Sequence, residues 1–165
     1  MSSSTHNAVA AIDIGTNSTN LLITDRDGQT LERQLTVTRL GQGVDKSRML
    51  APEAIERTIL CLARYRERLD AHGSPLLRII ASSASRDALN REEFFDQAEN
   101  VLGVRPELVS GEEEARLAYR GCTTNLIPDT NGHLIIDIGG GSTELIIGTT
   151  QQALGEGFSE LRQHH

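Results

Sequence analysis

Twelve residues of this chain occur twice. Residues 12–23 read IDIGTNSTNLLI and residues 136–147 read IDIGGGSTELII, identical at eight of twelve positions with an offset of 124. The shared positions are Ile12/Ile136, Asp13/Asp137, Ile14/Ile138, Gly15/Gly139, Ser18/Ser142, Thr19/Thr143, Leu21/Leu145 and Ile23/Ile147. A spacing this long does not belong to a solenoid, and two copies point to two homologous lobes. In each copy apolar residues flank a Gly/Ser/Thr/Asn loop with no helical period. That pattern predicts strand, tight loop, strand.

Between the copies the pattern alternates. Asp27-Gly28 marks a turn into a third strand within residues 29–40. Pro52 opens a helix with Ile55, Ile59, Leu62 and Leu69 on one face and Gly73 past its end. Residues 76–82 read as a short buried strand. Asn90 with Glu93 resembles a capping box for a helix carrying Phe94, Phe95, Ala98 and Leu102, ended by Gly103. Residues 107–109 read as another strand. Ser110 with Glu113 is a second capping-box candidate, opening a helix to about Cys122. Residues 128–132 are turn-rich.

The expected class is therefore α/β: three strands, then helix and strand in alternation, then a new β-hairpin. Residues 1–7 are expected to be a flexible tail, 8–127 a first lobe, and 128–165 the start of a second. Only 30 residues remain from Ile136 onward, too few for a lobe of 124. The second lobe is expected to be truncated relative to the first.

Composition removes several functions. The formal net charge is −7, against the basic balance of domains built to wrap nucleic acid. Aromatic residues make up 3% of the chain, too few for a base-stacking platform. Cys61 and Cys122 form no CxxC pair and no disulfide framework, which favours a reducing compartment. The polar N-terminus has no signal-peptide core, and no apolar run reaches membrane-spanning length. A cytoplasmic setting is expected. The five histidines show no metal-ligand spacing, and terminal His164 and His165 receive no role.

The repeated loops are the main candidates for chemistry. In Asp13-Ile14-Gly15-Thr16-Asn17-Ser18 an acid ends a strand and a small-residue turn follows. Glycine permits a sharp turn and a close approach by phosphate, while successive N–H groups form an anion nest. One such copy would read equally as an ordinary hairpin with an Asp at its bend. The second, Asp137-Ile138-Gly139-Gly140-Gly141-Ser142, repeats the design with three glycines. Together the loops are expected to pinch a phosphate chain. Glu144 shares a strand face with Ser142 and could complete a Mg²⁺ site with Asp137, or else simply face solvent.

Two further segments carry polar groups of interest. The acids of Ser110-Gly111-Glu112-Glu113-Glu114 suit a first helical turn on dipole and capping grounds alone. One of them could also take a proton from an attacking water. With Glu113 assigned to capping, Glu112 and Glu114 both remain open. In residues 81–88, small residues end a strand ahead of Arg86, whose planar fork suits phosphate, though a solvated Arg86–Asp87 loop is equally ordinary. Leu40-Gly41-Gln42-Gly43 is too short a glycine pattern to read by itself.

Taken together, these segments resemble the exopolyphosphatase / guanosine pentaphosphate phosphohydrolase family, within the actin–sugar kinase–Hsp70 superfamily. The matching blocks are AIDIGTNSTNLLI (11–23), LGQG (40–43), ASSASRDALN (81–90), SGEEEARL (110–117) and LIIDIGGGSTELIIG (134–148), and Leu154, Gly157 and Leu161 resemble the family's next segment. The two glycine loops alone would also fit sugar kinases or Hsp70-type ATPases; the SGEEEA and SASRDALN blocks are more specific. The resemblance implies a ribonuclease H-like lobe with a mixed sheet, followed by the opening hairpin of a second.

It also implies release of terminal phosphate from inorganic polyphosphate or from guanosine pentaphosphate, with Mg²⁺, in a cleft between lobes. By resemblance, Glu114 is the general base, Asp137 and Glu144 are metal-site acids, and Asp13, Gly15, Asn17, Ser18, Gly139, Gly140, Gly141, Ser142 and Arg86 bind phosphate. The family continues past residue 165 and its members dimerise, so a homodimer is expected. The competing readings are a non-catalytic phosphate- or nucleotide-binding module and a nucleotide-dependent kinase or ATPase.

Overall fold

The computed structural model describes residues 8–73, 75–127 and 132–149, and the backbone of 161–164. The expected tail at 1–7, most of the 128–132 turn and the Leu154/Gly157 match lie outside the described residues. By contacts the chain divides into two compact units, Met1–Leu108 and Val109–His165.

The first unit opens with β1 (Ala8–Ile14), β2 (Ser18–Asp25) and β3 (Thr30–Val37), continues through α1 (Val44–Ser47), α2 (Pro52–Ala71), β4 (Leu76–Ala81), α3 (Ser83–Asp87) and α4 (Arg91–Leu102), and closes on β5 (Glu107–Leu108). Its sheet runs β3-β2-β1-β4-β5. β1 pairs antiparallel with β2 and parallel with β4, so the sheet is mixed.

Strand alternation decides where the core lies. Ala8, Ala10, Ile12 and Ile14 of β1, with Leu21 and Ile23 of β2, point to one face and are buried. They form one cluster with Ile55, Cys61, Leu62, Tyr65 and Leu69 of α2 and Phe94, Phe95, Ala98 and Leu102 of α4. Pro52 stands in the first turn of α2, where its missing N–H costs nothing. α4 stops at Gly103 in a left-handed conformation, φ +74°. Tyr65 reaches from α2 across the core and donates to the Thr19 carbonyl at 2.9 Å. Beside the end of α2, Glu32 of β3 accepts from Arg68 at 2.7 Å and lies 2.9 Å from His72 Nε2.

Two local expectations change. β4 is buried on one side only: Leu76 and Arg78 are exposed while Ile79 and Ala81 are buried, because only one face of the sheet carries this core. Asn90 precedes α4 but its side chain makes no cap. Its carboxamide instead accepts from the Leu50 N–H at 2.8 Å and donates to the Leu50 carbonyl at 3.1 Å. A partner 40 residues away satisfies the side chain that local pattern assigned to the helix.

The second unit holds α5 (Gly111–Thr123), β6 (His133–Ile138), β7 (Thr143–Gly148) and β8 (Leu161–His164), the strands forming an antiparallel sheet in the order β6-β7-β8. Ser110 caps α5, accepting from the Glu113 N–H at 3.1 Å. Ala115, Tyr119 and Thr123, four residues apart, are its buried face. Ala115 and Tyr119 pack with Ile146 of β7. A Cβ on Gly148 would stand 3.0 Å from the Tyr119 ring, so the ring occupies the space a side chain would need. By contacts α5 therefore groups with the hairpin, and the two compact units divide at residues 108/109.

Candidate phosphate and cation site

The two repeated turns have the same backbone. Gly15 N–H donates to the Ser18 carbonyl at 2.9 Å, and Gly139 N–H donates to the Ser142 carbonyl at 2.9 Å. A Cβ on Gly15 would meet Ser18 O at 3.0 Å, and one on Gly139 would meet Ser142 O at 3.2 Å. Glycine at these positions is therefore a matter of close approach. The strand registers match too: Asp13 faces Asn20, and Asp137 faces Glu144.

In the first unit, Asp13 is half-buried and accepts from the Asn20 carboxamide at 3.2 Å. The turn is clamped from behind. Gly41 N–H donates to the Thr16 carbonyl at 2.9 Å, and the Thr38 and Arg39 N–H groups donate to the Asn17 carbonyl at 3.0 and 2.9 Å. In a trans peptide the N–H points opposite its carbonyl, so the Asn17 amide is directed away from this clamp. Gly41 has no room for a side chain: a Cβ would lie 2.3 Å from Thr16 Cγ2 and 3.1 Å from Ala84 Cβ. Asn17 is exposed, Ser18 half-buried, and Arg86 half-buried in the last turn of α3. Ser85 beside it is buried, and its hydroxyl has no hydrogen-bond partner among the described residues.

In the second unit, Gly139, Gly140 and Gly141 are exposed and Ser142 is buried. Glu144 is 3% exposed, so the solvent-facing reading fails. Its Oε1 has no hydrogen-bond partner among the described residues. Burial first, and the Glu144 charge second, hold the Asp137 carboxyl above its ordinary range. Glu114 sits half-buried in the first turn of α5, its N–H on the Ser110 carbonyl at 2.9 Å. Glu113 is engaged by Arg116 through both oxygens, at 2.7 and 2.8 Å. Glu112 is exposed.

The sequence-derived residues thus fall into two groups. Asp13, Gly15, Asn17, Ser18 and Arg86 belong to the first unit; Glu114, Asp137, Gly139, Gly140, Gly141, Ser142 and Glu144 belong to the second. Pattern reading missed the Thr38–Gly41 clamp, because a glycine demanded by tertiary approach has no local signature. It also missed Asn20 as the partner of Asp13, although the repeat offset pairs Asn20 with Glu144.

The profile of the Ppx/GppA phosphatase family matches residues 21–156. This chain belongs to the Ppx/GppA phosphatase family. It is 41% identical over 152 residues to exopolyphosphatase 2 of Mycobacterium tuberculosis, a match covering 85% of the chain and 48% of that relative. Among solved structures it resembles an exopolyphosphatase from Cytophaga hutchinsonii, with TM-score 0.86, 29% identity, 95% of this chain and 50% of that one. The Aquifex aeolicus Ppx/GppA family member gives TM-score 0.78 and 31% identity over 95% of this chain and 50% of that one. The chain thus spans about half the length of its Ppx/GppA relatives. The mixed sheet and the separate antiparallel hairpin are the α/β, actin-like architecture that the repeat and the resemblance implied.

Proposed function

We propose that this chain carries part of a hydrolase that releases terminal phosphate from inorganic polyphosphate, with guanosine pentaphosphate as a second substrate, in the cytoplasm and as a homodimer. The observation that carries the reading is the pairing of half-buried Asp137 with buried Glu144. Two carboxylates face each other across a strand pair, one nearly fully buried with an unpartnered oxygen. Such a pair is costly unless a cation or a proton neutralises it.

The residues fit Mg²⁺. Their donors are hard carboxylate oxygens, and Mg²⁺ is commonly held by one or two carboxylates with water and substrate phosphate completing the set. No cluster of three or more His, Cys, Asp or Glu suited to a metal occurs among the described residues. When bound, the ion would neutralise charge on the phosphate being released.

The chain's own residues divide the remaining work. Phosphoryl transfer depends on positioning and charge stabilisation more than on covalent chemistry. The Gly15 and Gly139 turns offer backbone N–H groups to phosphate oxygens, aided by the side chains of Asn17, Ser18 and Ser142. Asp13 holds the first turn's polar edge through Asn20. Arg86 supplies a planar cation. Glu114 takes a proton from the attacking water onto its carboxylate. Glu113 is engaged by Arg116, and Glu114 is the acid that the family resemblance selects.

The test is phosphate release with Mg²⁺ from long-chain polyphosphate and from guanosine pentaphosphate, by this chain and by Glu114→Ala. Release that collapses in the variant supports the hydrolase and its base. Equal release from both removes Glu114 from that role. No release from either substrate would contradict the hydrolase reading for this chain.

A further inference from the structure

The clamp behind the first phosphate turn has a backing of its own. The Arg39 N–H donates to the Asn17 carbonyl at 2.9 Å, and the other end of that peptide group is the Thr38 carbonyl. Nε of Arg57, in α2, donates to the Thr38 carbonyl at 3.1 Å. Its Nη2 donates to the Arg39 carbonyl at 3.5 Å and to Gln42 Oε1 at 3.3 Å. Arg57 is exposed, and among the described residues its side chain meets no carboxylate. One guanidinium thus directs its whole fork at residues 38–42, the segment that holds the turn. Arg39 needs such a hold. Its φ of +50° is left-handed, a strained conformation for a non-glycine residue that persists only where the surroundings enforce it.

Hydrogen-bonded peptide groups in series polarise one another. From Arg57 the series runs through the Thr38 carbonyl and the Arg39 N–H to the Asn17 carbonyl. It ends on the Ser18 N–H, the other end of the Asn17 peptide group, which in a trans peptide points away from the clamp. A positive charge at the start of the series makes that last N–H a better donor to an anion. We propose that Arg57 is a positioning residue for the first phosphate turn. It fixes the left-handed Arg39 and, through it, aims and strengthens the Ser18 N–H toward a phosphate oxygen. This role rests on the reading of the Gly15 turn as a phosphate site. Shape then counts as well as charge: a lysine at 57 keeps the cation but has one nitrogen, which cannot serve Thr38, Arg39 and Gln42 together.

Tripolyphosphate titration followed by amide NMR, with hydrogen exchange on the same samples, tests it. The proteins are the 165-residue chain, Arg57→Met, Arg57→Lys and Arg64→Met, the last removing another exposed cation of α2. Arg57 lies outside the buried face of α2, so its replacement leaves that face intact. Shifts at Asn17 and Ser18 should saturate with one Kd in the parent and in Arg64→Met. Both Arg57 variants should bind about five- to tenfold more weakly and exchange the Arg39 amide about tenfold faster, with the Leu21 and Ile23 amides unchanged. Parent-like binding by Arg57→Met overturns the proposal, and parent-like binding by Arg57→Lys does so by reducing the role to charge. An equal loss in Arg64→Met overturns it too. So does faster exchange at Leu21 and Ile23, which would make Arg57 a general structural residue. Absence of any shift at Asn17 and Ser18 in the parent is a different failure: it removes the phosphate reading of the turn, and this role with it.

Discussion

The two hairpins of this chain share a turn, a hydrogen bond and a register, and differ at the position facing the strand-ending acid. In the first, Asn20 faces Asp13 and its amide donates to the carboxylate at 3.2 Å. In the second, Glu144 faces Asp137, and two acids confront each other with one buried oxygen unpartnered among the described residues. The backbone repeats while the electrostatics do not. A carboxylate satisfied by an amide needs nothing further; a buried carboxylate facing a second one needs a cation or a proton. A hairpin repeated in one chain can thus carry two different electrostatic arrangements, a self-satisfied turn and a charged one, through a single side-chain change.

The largest effect is expected where the second hairpin leans on α5. Tyr119→Ala removes the ring that fills the space over Gly148 and should destabilise the second unit by about 3–5 kcal/mol. Hydrogen exchange should show β6 and β7 opening while β1 and β2 keep their protection. Equal loss in both hairpins would mean that the units do not fold separately.

Next comes the exchange of partners. Asn20→Glu should give the first hairpin the problem of the second, costing about 1–3 kcal/mol in urea denaturation. The reverse change, Glu144→Gln, removes the charge opposite Asp137. Without divalent cation it should stabilise the second unit by about 1 kcal/mol and bring the Asp137 carboxyl down toward its ordinary range, read by carboxyl NMR titration. A destabilising Glu144→Gln would show that the pair is already neutralised within the protein.

The smallest effect is a difference of sign with pH. Hydrogen bonding from Arg68 holds Glu32 of the first unit at about 2, against its usual 4.5. Its contribution is full above pH 4.5 and fades as pH falls toward 2. Asp137 is raised above 3.8, so the folded second unit binds that proton more tightly than the unfolded chain. The second unit therefore loses stability as pH rises from 3.8 through the raised value. Unit-resolved urea midpoints without divalent cation should slope in opposite directions. Glu32→Gln should flatten the first slope and Asp137→Asn the second.

Much of this was legible in the residues. The repeat foretold both hairpins, and the Gly15–Ser18 and Gly139–Ser142 bonds are that repeat in backbone form. Helices α2 and α4 follow from apolar spacing with Pro52, Gly73 and Gly103 as punctuation. Three features depended on tertiary partners and had no local signature. Asn90 is taken by Leu50, Gly41 is squeezed between Thr16 and Ala84, and the Ala115/Tyr119 face of α5 announces burial without naming Ile146 as its neighbour. The burial of Glu144 is a fourth. Strand alternation puts it on a face, and only the packing of α5 makes that face an interior.

The most direct test is a Mg²⁺ titration followed by carboxyl and amide NMR shifts in both hairpins at once. The account predicts saturable shifts at Asp137 and Glu144, abolished by Glu144→Gln, with Asp13 and Asn20 unmoved. Shifts of equal size in both hairpins, or none at Asp137 and Glu144, would contradict it.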